Sequence, residues 1–258
     1  MIRTERSGLV YYQFAALAAE PGLRHGFFTR LGGVSRSPYA SLNVGGSVGD
    51  DAEAVAENRR RLYAALELDE ARVATPFQVH STRIVRVGAA EGGRVIDETD
   101  GLLTDEPGMA LFLRFADCAP IVLYDRQRRA VGLIHAGWRG ALAGIAALAV
   151  QAMRAEFGSA PGDLWAGIGP CIGACCYEVG AELGEQFIRR FGPQVVSRHA
   201  MGTVHLDLTQ ANVLALKEAG VHRAVSADLC TSCHCDEFFS HRREHGRTGR
   251  FAAIVALT

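Results

Sequence analysis

The sequence predicts an α+β fold for its 258 residues. Apolar segments between residues 101 and 136 follow one another with almost no polar alternation, as expected of strands that are covered on both faces. Segments with apolar side chains every three or four residues, bounded by capping Asp and terminal Gly residues, predict helices. Because no internal repeat and no convincing linker separates these elements, we interpret residues 1–258 as a single domain.

Composition and charge restrict the class of protein. A hydrophobic content of 48% with 21% charged residues is ordinary for a globular chain with a substantial core. The formal net charge of -1 indicates no electrostatic surface for nucleic acid or membrane. The N-terminal segment MIRTERSGLVYYQF lacks a signal-peptide core, and no apolar run is long enough to span a bilayer. We therefore expect a cytoplasmic protein.

The N-terminal part of the chain combines short strands, a long loop and a helix. LVYYQF and LRHGFFT are enriched in apolar and aromatic residues and predict strands. The glycine-rich segment 31–51 is either a functional loop or a mobile surface loop. Asp50 and Asp51 then predict the start of a helix over residues 52–68. Three consecutive arginines on this helix, residues 59–61, cannot share a face, so we expect at least one to point inward or toward a site.

The middle of the chain predicts strands that lead to one long helix. FQVHSTRIVRV is interpreted as a strand pair or a bent strand with His80 at its centre. DGLLT, MALFLRFADC, APIVLYD and RRAVGLIHA predict further strands. The segment that follows, WRGALAGIAALAVQAMRAEF, predicts a single helix with Gly158 as its C-cap.

The C-terminal part alternates strands, helices and a cysteine-rich segment. DLWAGI predicts a strand that enters a tight Gly/Pro/Cys loop, followed by a helix that extends to about Phe191. Asp207, with Gln210 three residues later, predicts the start of another helix, which Gly220 ends. A short strand, the cysteine-rich segment and a closing apolar strand, FAAIVAL, complete the chain.

Three residues in apolar strands or at their ends are candidate ligands of one metal ion. His80, Cys118 and His135 satisfy the ligand count of a catalytic zinc site, which has three protein ligands and one open position. Each residue singly is compatible with a role in core packing. The same Cys118 and His135 also suit a cysteine hydrolase, with Cys118 as nucleophile and His135 as its base.

The remaining cysteines suggest a second, weaker metal hypothesis. The chain has seven cysteines, and in a cytoplasmic protein metal binding or thiol chemistry is a better expectation than disulfides. Cys230 and Cys233 form a CxxC pair that could bind a structural zinc with His241 and His245. Cys171, Cys175 and Cys176 lie in a glycine-rich segment. We interpret them as small side chains that a tight loop requires.

Arginines near the predicted strand ends suggest an anionic substrate. Arg139 directly precedes a predicted helix start, where backbone N–H groups favour an anion. Arginines 242, 243 and 250 follow a loop, and Arg59 could join them. A pocket that holds both a metal and these guanidinium groups would suit phosphate or a phosphorylated substrate.

A series of motifs spread over nearly the whole chain resembles one known family, the YfiH-type purine nucleoside phosphorylases, earlier described as multicopper polyphenol oxidases of the laccase-domain type. The motifs, in order, are HGFFTRLGGVS, PYASLNVG, VGDD, ENRRRL, QVH, ADC, HAGWRG, IGPCIGACCYEV, LDLTQAN, CTSC, FFSHRRE and TGR. The resemblance implies packed mixed β-sheets flanked by helices, similar to the cytotoxic-necrotizing-factor deamidases. Two positions depart from the family pattern: Phe115 replaces the usual Thr, and His241 replaces the usual Tyr.

The resemblance also implies a function. It implies a zinc ion, with Cu²⁺ as the alternative metal, bound by residues matching His80, Cys118 and His135. The implied reaction is the phosphorolysis of adenosine, inosine and methylthioadenosine, with adenosine deamination as a side activity. Copper-dependent phenol oxidation and the editing of cell-wall precursor peptides are the other activities attached to the family. A multicopper reaction needs many converging histidines. This chain has nine in total, and only His80 and His135 lie in strong site motifs, so we do not expect multicopper oxidation.

Individual roles follow from this reading. We predict Arg139, Arg59 and Asn43 as phosphate or substrate contacts, and Cys118 and His135 as catalytic residues. Asp117, beside Cys118, is predicted to orient a ligand. The remaining alternatives are a Cys–His hydrolase acting on an amide and a metal-stabilised interaction protein without activity.

Overall fold

Apolar strands build two large β-sheets that pack face to face. In the computed structural model, which describes residues 1–198 and 202–258, sixteen strands form three sheets. The strands are β1 Ile2–Arg6, β2 Leu9–Gln13, β3 Leu23–Phe28, β4 Val73–Pro76, β5 Ile84–Arg86, β6 Val95–Ile96, β7 Gly101–Thr104, β8 Ala110–Phe115, β9 Ala119–Asp125, β10 Ala130–Ala136, β11 Trp165–Ile168, β12 Glu178–Val179, β13 Val196–Arg198, β14 Val204–Leu206, β15 Arg223–Ser226 and β16 Phe251–Leu257.

Six α-helices accompany the strands in the described part of the chain. They are α1 Ala15–Ala18, α2 Ala52–Ala65, α3 Trp138–Leu142, α4 Ile145–Phe157, α5 Ala181–Phe191 and α6 Leu208–Glu218. The first sheet has the strand order β1-β2-β3-β16-β8-β4-β6, and the second has the order β15-β11-β9-β10-β7-β5. A small third sheet has the order β12-β14-β13. None of the helices among the described residues has the length and apolarity needed to cross a lipid bilayer.

The faces of the two large sheets explain why their strands lack polar alternation. Leu111 and Leu113 on β8 point into the core between the sheets, where Val122 and Leu133 of the second sheet meet them. The intervening Phe112 points outward and packs against α2. The outer face of the second sheet is covered by α3 to α6. The order of layers is therefore helix, sheet, sheet, helices, which confirms the α+β class and the packed sheets flanked by helices.

The helix predicted over residues 138–157 is two helices. Gly144 adopts a left-handed conformation with φ of 83°, which separates α3 from α4. A side chain in that conformation is strained, so the glycine permits the chain to change direction after Leu142. Gly158, with φ of 70°, ends α4 as predicted. The break leaves α3 as a short helix directly after β10, beside the candidate site.

The glycine-rich segment 31–51 is packed into the molecule. Its residues Leu42, Asn43 and Val44 are completely buried. The side chain of Asn58 on α2 accepts a hydrogen bond from Val34 N and donates to the carbonyl groups of Ser41 and Asn43. Of the two interpretations of this segment, the structure favours a functional loop, since glycines 45 and 46 and Ser47 line the cavity described below.

A buried histidine in β3 should make stability depend on pH. His25 is completely buried beside Phe14, whose backbone N–H donates to its Nε2. Burial lowers the pKa of His25 to about 4. The unfolded chain then binds the proton more readily between about pH 6.5 and pH 4, so the free energy of unfolding should fall by roughly 3 kcal/mol as the pH drops through this window.

Denaturant unfolding across this pH range tests the prediction. The pH dependence of a His25→Gln variant should be flatter than that of the unmodified protein, while the exposed His222 offers a matched control as His222→Gln. Equal slopes for His25→Gln and the unmodified protein would contradict the assignment.

Candidate active site

His80, Cys118 and His135 converge at one point. Their ligand atoms all lie within 4.8 Å of one another. Zinc at its usual bond lengths and a tetrahedral angle would place a thiolate sulfur and an imidazole nitrogen about 3.6 Å apart. The distance from Cys118 Sγ to His80 Nε2 is 3.8 Å. The three residues therefore fit one metal ion with a further position open.

Sheet register brings two of these residues together. Cys118 lies in the short link between β8 and β9, and His135 is the penultimate residue of β10. In the antiparallel pairing of β9 with β10, His135 lies opposite Pro120, two residues after Cys118. His80 is placed differently from its prediction, because it lies in the loop between β4 and β5 with φ of 61° and not within a strand.

Gly137 leaves the space that the three ligands occupy. A Cβ atom at this position would lie 2.8 Å from His80 Cδ2 and 3.0 Å from Cys118 Sγ. Because real Cβ atoms essentially never approach so closely, any side chain here would displace a ligand. The glycine of the HAGWRG motif is required by space, since its φ of -75° suits any residue.

Asp100 orients His135 and the loop that carries His80. Its Oδ1 lies 2.8 Å from His135 Nδ1, which leaves Nε2 of that ring to face the other ligands. The same completely buried carboxylate accepts hydrogen bonds from the backbone N–H groups of Val79, His80 and Ser81. Burial alone would raise the pKa of Asp100, but His135 and the hydrogen bonds from Ser81 lower it to about 2. The sequence reasoning did not identify this residue.

Charge coupling favours an ionised thiol. Burial opposes the charged form of Cys118, but the neighbouring His135 and His80 lower the pKa of the thiol below its usual value. Burial likewise opposes protonation of His135, but the thiolate of Cys118 and the carboxylate of Asp100 raise the pKa of this imidazole. A thiolate is the form that binds a metal or attacks an electrophile.

Substitution of Asp100 by Asn should weaken metal binding. Residues that orient a metal-bound imidazole typically contribute about 10- to 100-fold to affinity, and we expect a loss of that size. Competition with a chelator of known affinity measures it. Asp105→Asn provides the control. Asp105 directly follows β7, has a partly exposed side chain and pairs with Arg86. Equal affinities for the Asp100→Asn and Asp105→Asn proteins would show that Asp100 does not support the ligands.

The three ligands open into a cavity of about 650 Å³. This volume lies within the usual range for small-molecule sites. Five arginines line it: Arg59, Arg114, Arg139, Arg242 and Arg250. None of the ion pairs formed among residues 1–198 and 202–258 includes one of these five side chains. The cavity is therefore suited to an anion.

Arg59, Arg114 and Arg250 form a group of like charges at this cavity. Burial and the positive charges of Arg59 and Arg250 lower the pKa of Arg114 to about 10. Carbonyl oxygens hold the guanidinium groups in place: Val44 accepts from Arg59, and Gly249 accepts from Arg250. Arg114 was not singled out from the sequence, although an arginine within the apolar segment MALFLRFADC is a visible signal.

Arg139 and Arg242 line the cavity near Tyr177. The guanidinium carbon of Arg139 lies 4.1 Å from the ring centre of Trp138, and that of Arg242 lies 5.1 Å from the ring of Tyr177. Arg139 is the second residue of α3, so it does not precede the helix start as expected. Arg243 is exposed and is not among the cavity residues.

Asn43 does not contact the cavity, which corrects its prediction as a direct substrate contact. Its side chain is completely buried, and its Oδ1 accepts hydrogen bonds from the backbone N–H groups of Gly45 and Arg250. Its Nδ2 donates to Asp50 at 2.8 Å. Asn43 thus places two residues that do line the cavity.

Asp117 lines the cavity, but its hydrogen bonds lead away from the ligands. Its carboxylate accepts from Thr231 Oγ1 at 2.7 Å and from the backbone N–H of Arg242 at 2.6 Å. Its backbone oxygen accepts from Ile172 N. The residue joins three loops around the site, while the carboxylate that orients a ligand, the role predicted for Asp117, is that of Asp100 beside His135.

The two departures from the family pattern lie beside the site. Phe115 is buried, and its ring centre is 5.4 Å from that of His135. Phe115 therefore supports the ligand by packing. The second metal hypothesis required His241 to lie beside Cys230 and Cys233. Instead, His241 lines the cavity and is not grouped with these cysteines. The two cysteines instead lie with Cys175 and Cys176.

The family described as multi-copper polyphenol oxidoreductase laccase matches residues 24–258. The chain belongs to this family. Among its solved structural neighbours are YlmD from Geobacillus stearothermophilus, with a TM-score of 0.92 and 37% identity over 98% of this chain and 97% of that one, and YfiH from Bacillus licheniformis, with a TM-score of 0.91 and 35% identity over 97% of both.

Sequence relatives carry the name purine nucleoside phosphorylase. YlmD from Geobacillus stearothermophilus is 41% identical over 243 residues, which cover 89% of this chain and 88% of the relative. A Streptomyces coelicolor protein that is also named purine nucleoside phosphorylase is 38% identical over 236 residues, covering 92% of this chain and 96% of the relative. These findings confirm the family that the motifs indicated.

Proposed function

We propose that this chain is a zinc-dependent purine nucleoside phosphorylase. It would cleave adenosine, inosine and methylthioadenosine with phosphate, giving the free base and ribose 1-phosphate or its methylthio analogue. The names of its relatives support the reaction class. We further propose that residues 1–258 act as one unit in the cytoplasm, because free thiols persist in reducing surroundings.

The observation that carries the proposal is the combination of a three-ligand metal set and five arginines in one cavity. Phosphorolysis needs a phosphate anion held beside the sugar while the bond from C1′ to the base breaks. Guanidinium groups bind phosphate oxygens through charge-assisted hydrogen bonds. A protein that only bound a metal for stability would have no need for unpaired arginines beside it.

Roles can be assigned to the residues of this cavity. We propose that Arg59, Arg114 and Arg250 bind the phosphate, and that Arg139 contacts the substrate from the wall formed with Tyr177. Aromatic side chains of the cavity, which include Trp138, offer apolar surface to a planar base. Zinc bound to His80, Cys118 and His135 would supply Lewis acidity toward a phosphate oxygen or a water molecule.

Two further activities attach to the same residues. Activation of water beside a bound adenosine would give a deaminase side activity, which we keep as part of the proposal. A His₂Cys set can also bind Cu²⁺, for which such ligands have high affinity. Among residues 1–198 and 202–258, the second group of candidate ligands contains only cysteines. A multicopper phenol oxidase would need further histidine-rich sites, so we do not favour that reaction.

Phosphate-dependent release of base from a panel of nucleosides tests the proposal. The purified protein should release adenine, hypoxanthine or methylthioadenine only when phosphate is present, and a chelator should abolish the release. Added zinc should restore it. Release that is independent of phosphate, or no release from any nucleoside at full zinc occupancy, would reject the phosphorylase.

A Cys–His hydrolase is the second candidate, and the Cys118–His135 pair favours it. The mutual stabilisation of a thiolate and an imidazolium is what a cysteine nucleophile requires. This enzyme would cleave an amide or a cell-wall precursor peptide without metal, and alkylation of Cys118 would inactivate it. The metal-free protein should then be the active form, which is the reverse of the expectation for the phosphorylase.

A further inference from the structure

Two loops bring four cysteines together outside the candidate active site. Cys175 and Cys176 lie in the loop after β11, and Cys230 and Cys233 lie in the loop after β15. Their four sulfur atoms are all within 4.8 Å of one another. The proposed phosphorylase reaction uses none of them, and their grouping spans more than 50 residues of sequence.

The spacing of the sulfur atoms suits a single tetrahedral metal ion. Zinc with four thiolate ligands at the usual bond length would hold neighbouring sulfurs about 3.8 Å apart. Cys233 Sγ lies 3.4 Å from Cys175 Sγ and 3.5 Å from Cys176 Sγ. The two measured sulfur–sulfur distances are slightly shorter than the distance expected around zinc, and the 4.8 Å limit on the remaining pairs is longer than it. A cluster of several iron atoms would hold its thiolates farther apart.

The backbone around this group is also arranged for thiolates. The N–H of Gly173 donates to Cys230 Sγ at 3.2 Å, an interaction that stabilises a negatively charged sulfur. A Cβ at position 173 would lie 3.3 Å from Cys175 Sγ and 3.2 Å from Cys230 Cβ. Glycine at this position therefore keeps the space between the two loops clear for the sulfurs.

We propose that Cys175, Cys176, Cys230 and Cys233 form a closed structural zinc site. Four protein ligands leave no open position, which distinguishes this site from the three-ligand set in the cavity. Its role is to fasten the two loops to each other. Both loops shape the cavity, since Ile172 lines it and Thr231 donates to Asp117. The site would keep the cavity wall in place and take no part in the reaction.

Zinc content under reducing conditions tests this site separately from the active site. A Cys118→Ser protein, which lacks one ligand of the cavity set, should retain about one zinc per chain through the four grouped cysteines. Adding Cys175→Ser and Cys233→Ser to that protein should remove this zinc, whereas adding Cys235→Ser should not. Cys235 is the matched control because it lies two residues after Cys233 and outside the group. Cobalt should show tetrathiolate charge-transfer absorption in the Cys118→Ser protein alone and with Cys235→Ser, and lose it with the paired substitutions.

The unmodified protein provides a measurement that does not depend on the folding of variants. In the zinc-loaded protein, iodoacetamide should label Cys235 but leave the four grouped cysteines unmodified, and a chelator should expose all four. Less than about one-fifth of a zinc per chain in the Cys118→Ser protein would overturn the proposal. So would a disulfide between any two of the four cysteines in protein kept with reductant. Neither result depends on nucleoside cleavage, so failure of the proposed reaction would leave this test intact.

Discussion

Replacement of Cys118 by Ser is expected to lower kcat/KM for phosphate-dependent nucleoside cleavage by roughly 1,000-fold or more. The reason is that a bound metal supplies several kcal/mol of charge stabilisation to the transition state, and about 4 kcal/mol corresponds to this factor. A serine hydroxyl is not ionised at neutral pH and binds zinc poorly. Zinc content should therefore fall by one ion relative to the unmodified protein, together with activity.

Two companion variants make the interpretation specific. Cys235→Ser should retain full activity, because Cys235 belongs to neither ligand group. His80→Ala should behave like Cys118→Ser if the metal is essential, since His80 completes the three-ligand set. If His80→Ala still cleaved nucleosides while Cys118→Ser did not, the metal would not be essential to the reaction and the role of Cys118 as a metal ligand would be contradicted.

Substitution of Arg114 by Gln is expected to raise KM for phosphate by about 10- to 100-fold. One charge-assisted hydrogen bond is worth about 1.5–3 kcal/mol, which corresponds to that range. Arg114 is the most informative member of its group, because the charges of both Arg59 and Arg250 act on it. The KM for nucleoside should change much less, since the guanidinium group of Arg114 is proposed to contact phosphate and its other partners are protein groups, Gln78 and the carbonyl oxygen of Pro76.

Initial-rate measurements with phosphate and nucleoside varied independently would separate the two effects. Arg59→Gln should resemble Arg114→Gln, while its neighbour Arg60 offers a matched control. Arg60 lies on the same helix but points to solvent and pairs with Glu57. An equal rise in KM for both substrates would contradict a dedicated phosphate site at Arg59, Arg114 and Arg250.

Several structural elements were predictable because local patterns specify them. The near-continuous apolar segments 101–104, 119–125 and 130–136 correctly predicted strands covered on both faces. Asp51 and Asp207 were correctly predicted as N-caps, and each accepts a hydrogen bond from a backbone N–H of the helix that follows. The break at Gly144 was missed, since a glycine within a helical pattern does not by itself end a helix.

The site was predictable only in part. Residue types and motifs were enough to select His80, Cys118 and His135, because few side chains bind zinc and the family resemblance pointed to these three. Nothing in their spacing indicates Asp100, which lies 35 residues before His135. The pairing of β7 with β10 places Gly101 opposite Ile134, and this register brings Asp100 beside the histidine.

The sequence by itself therefore determined the fold class, the family and the candidate metal ligands of this protein, since each depends on residue identity or on short-range periodicity. Only the tertiary structure decided which cysteines meet and which arginines share the cavity. It also showed that Cys230 and Cys233 lie beside cysteines of another loop, and not beside the histidines of their own segment as predicted. The physical reason is that strand register and loop packing bring distant residues together. Both depend on how whole sheets bury their apolar faces, which no short segment of sequence specifies.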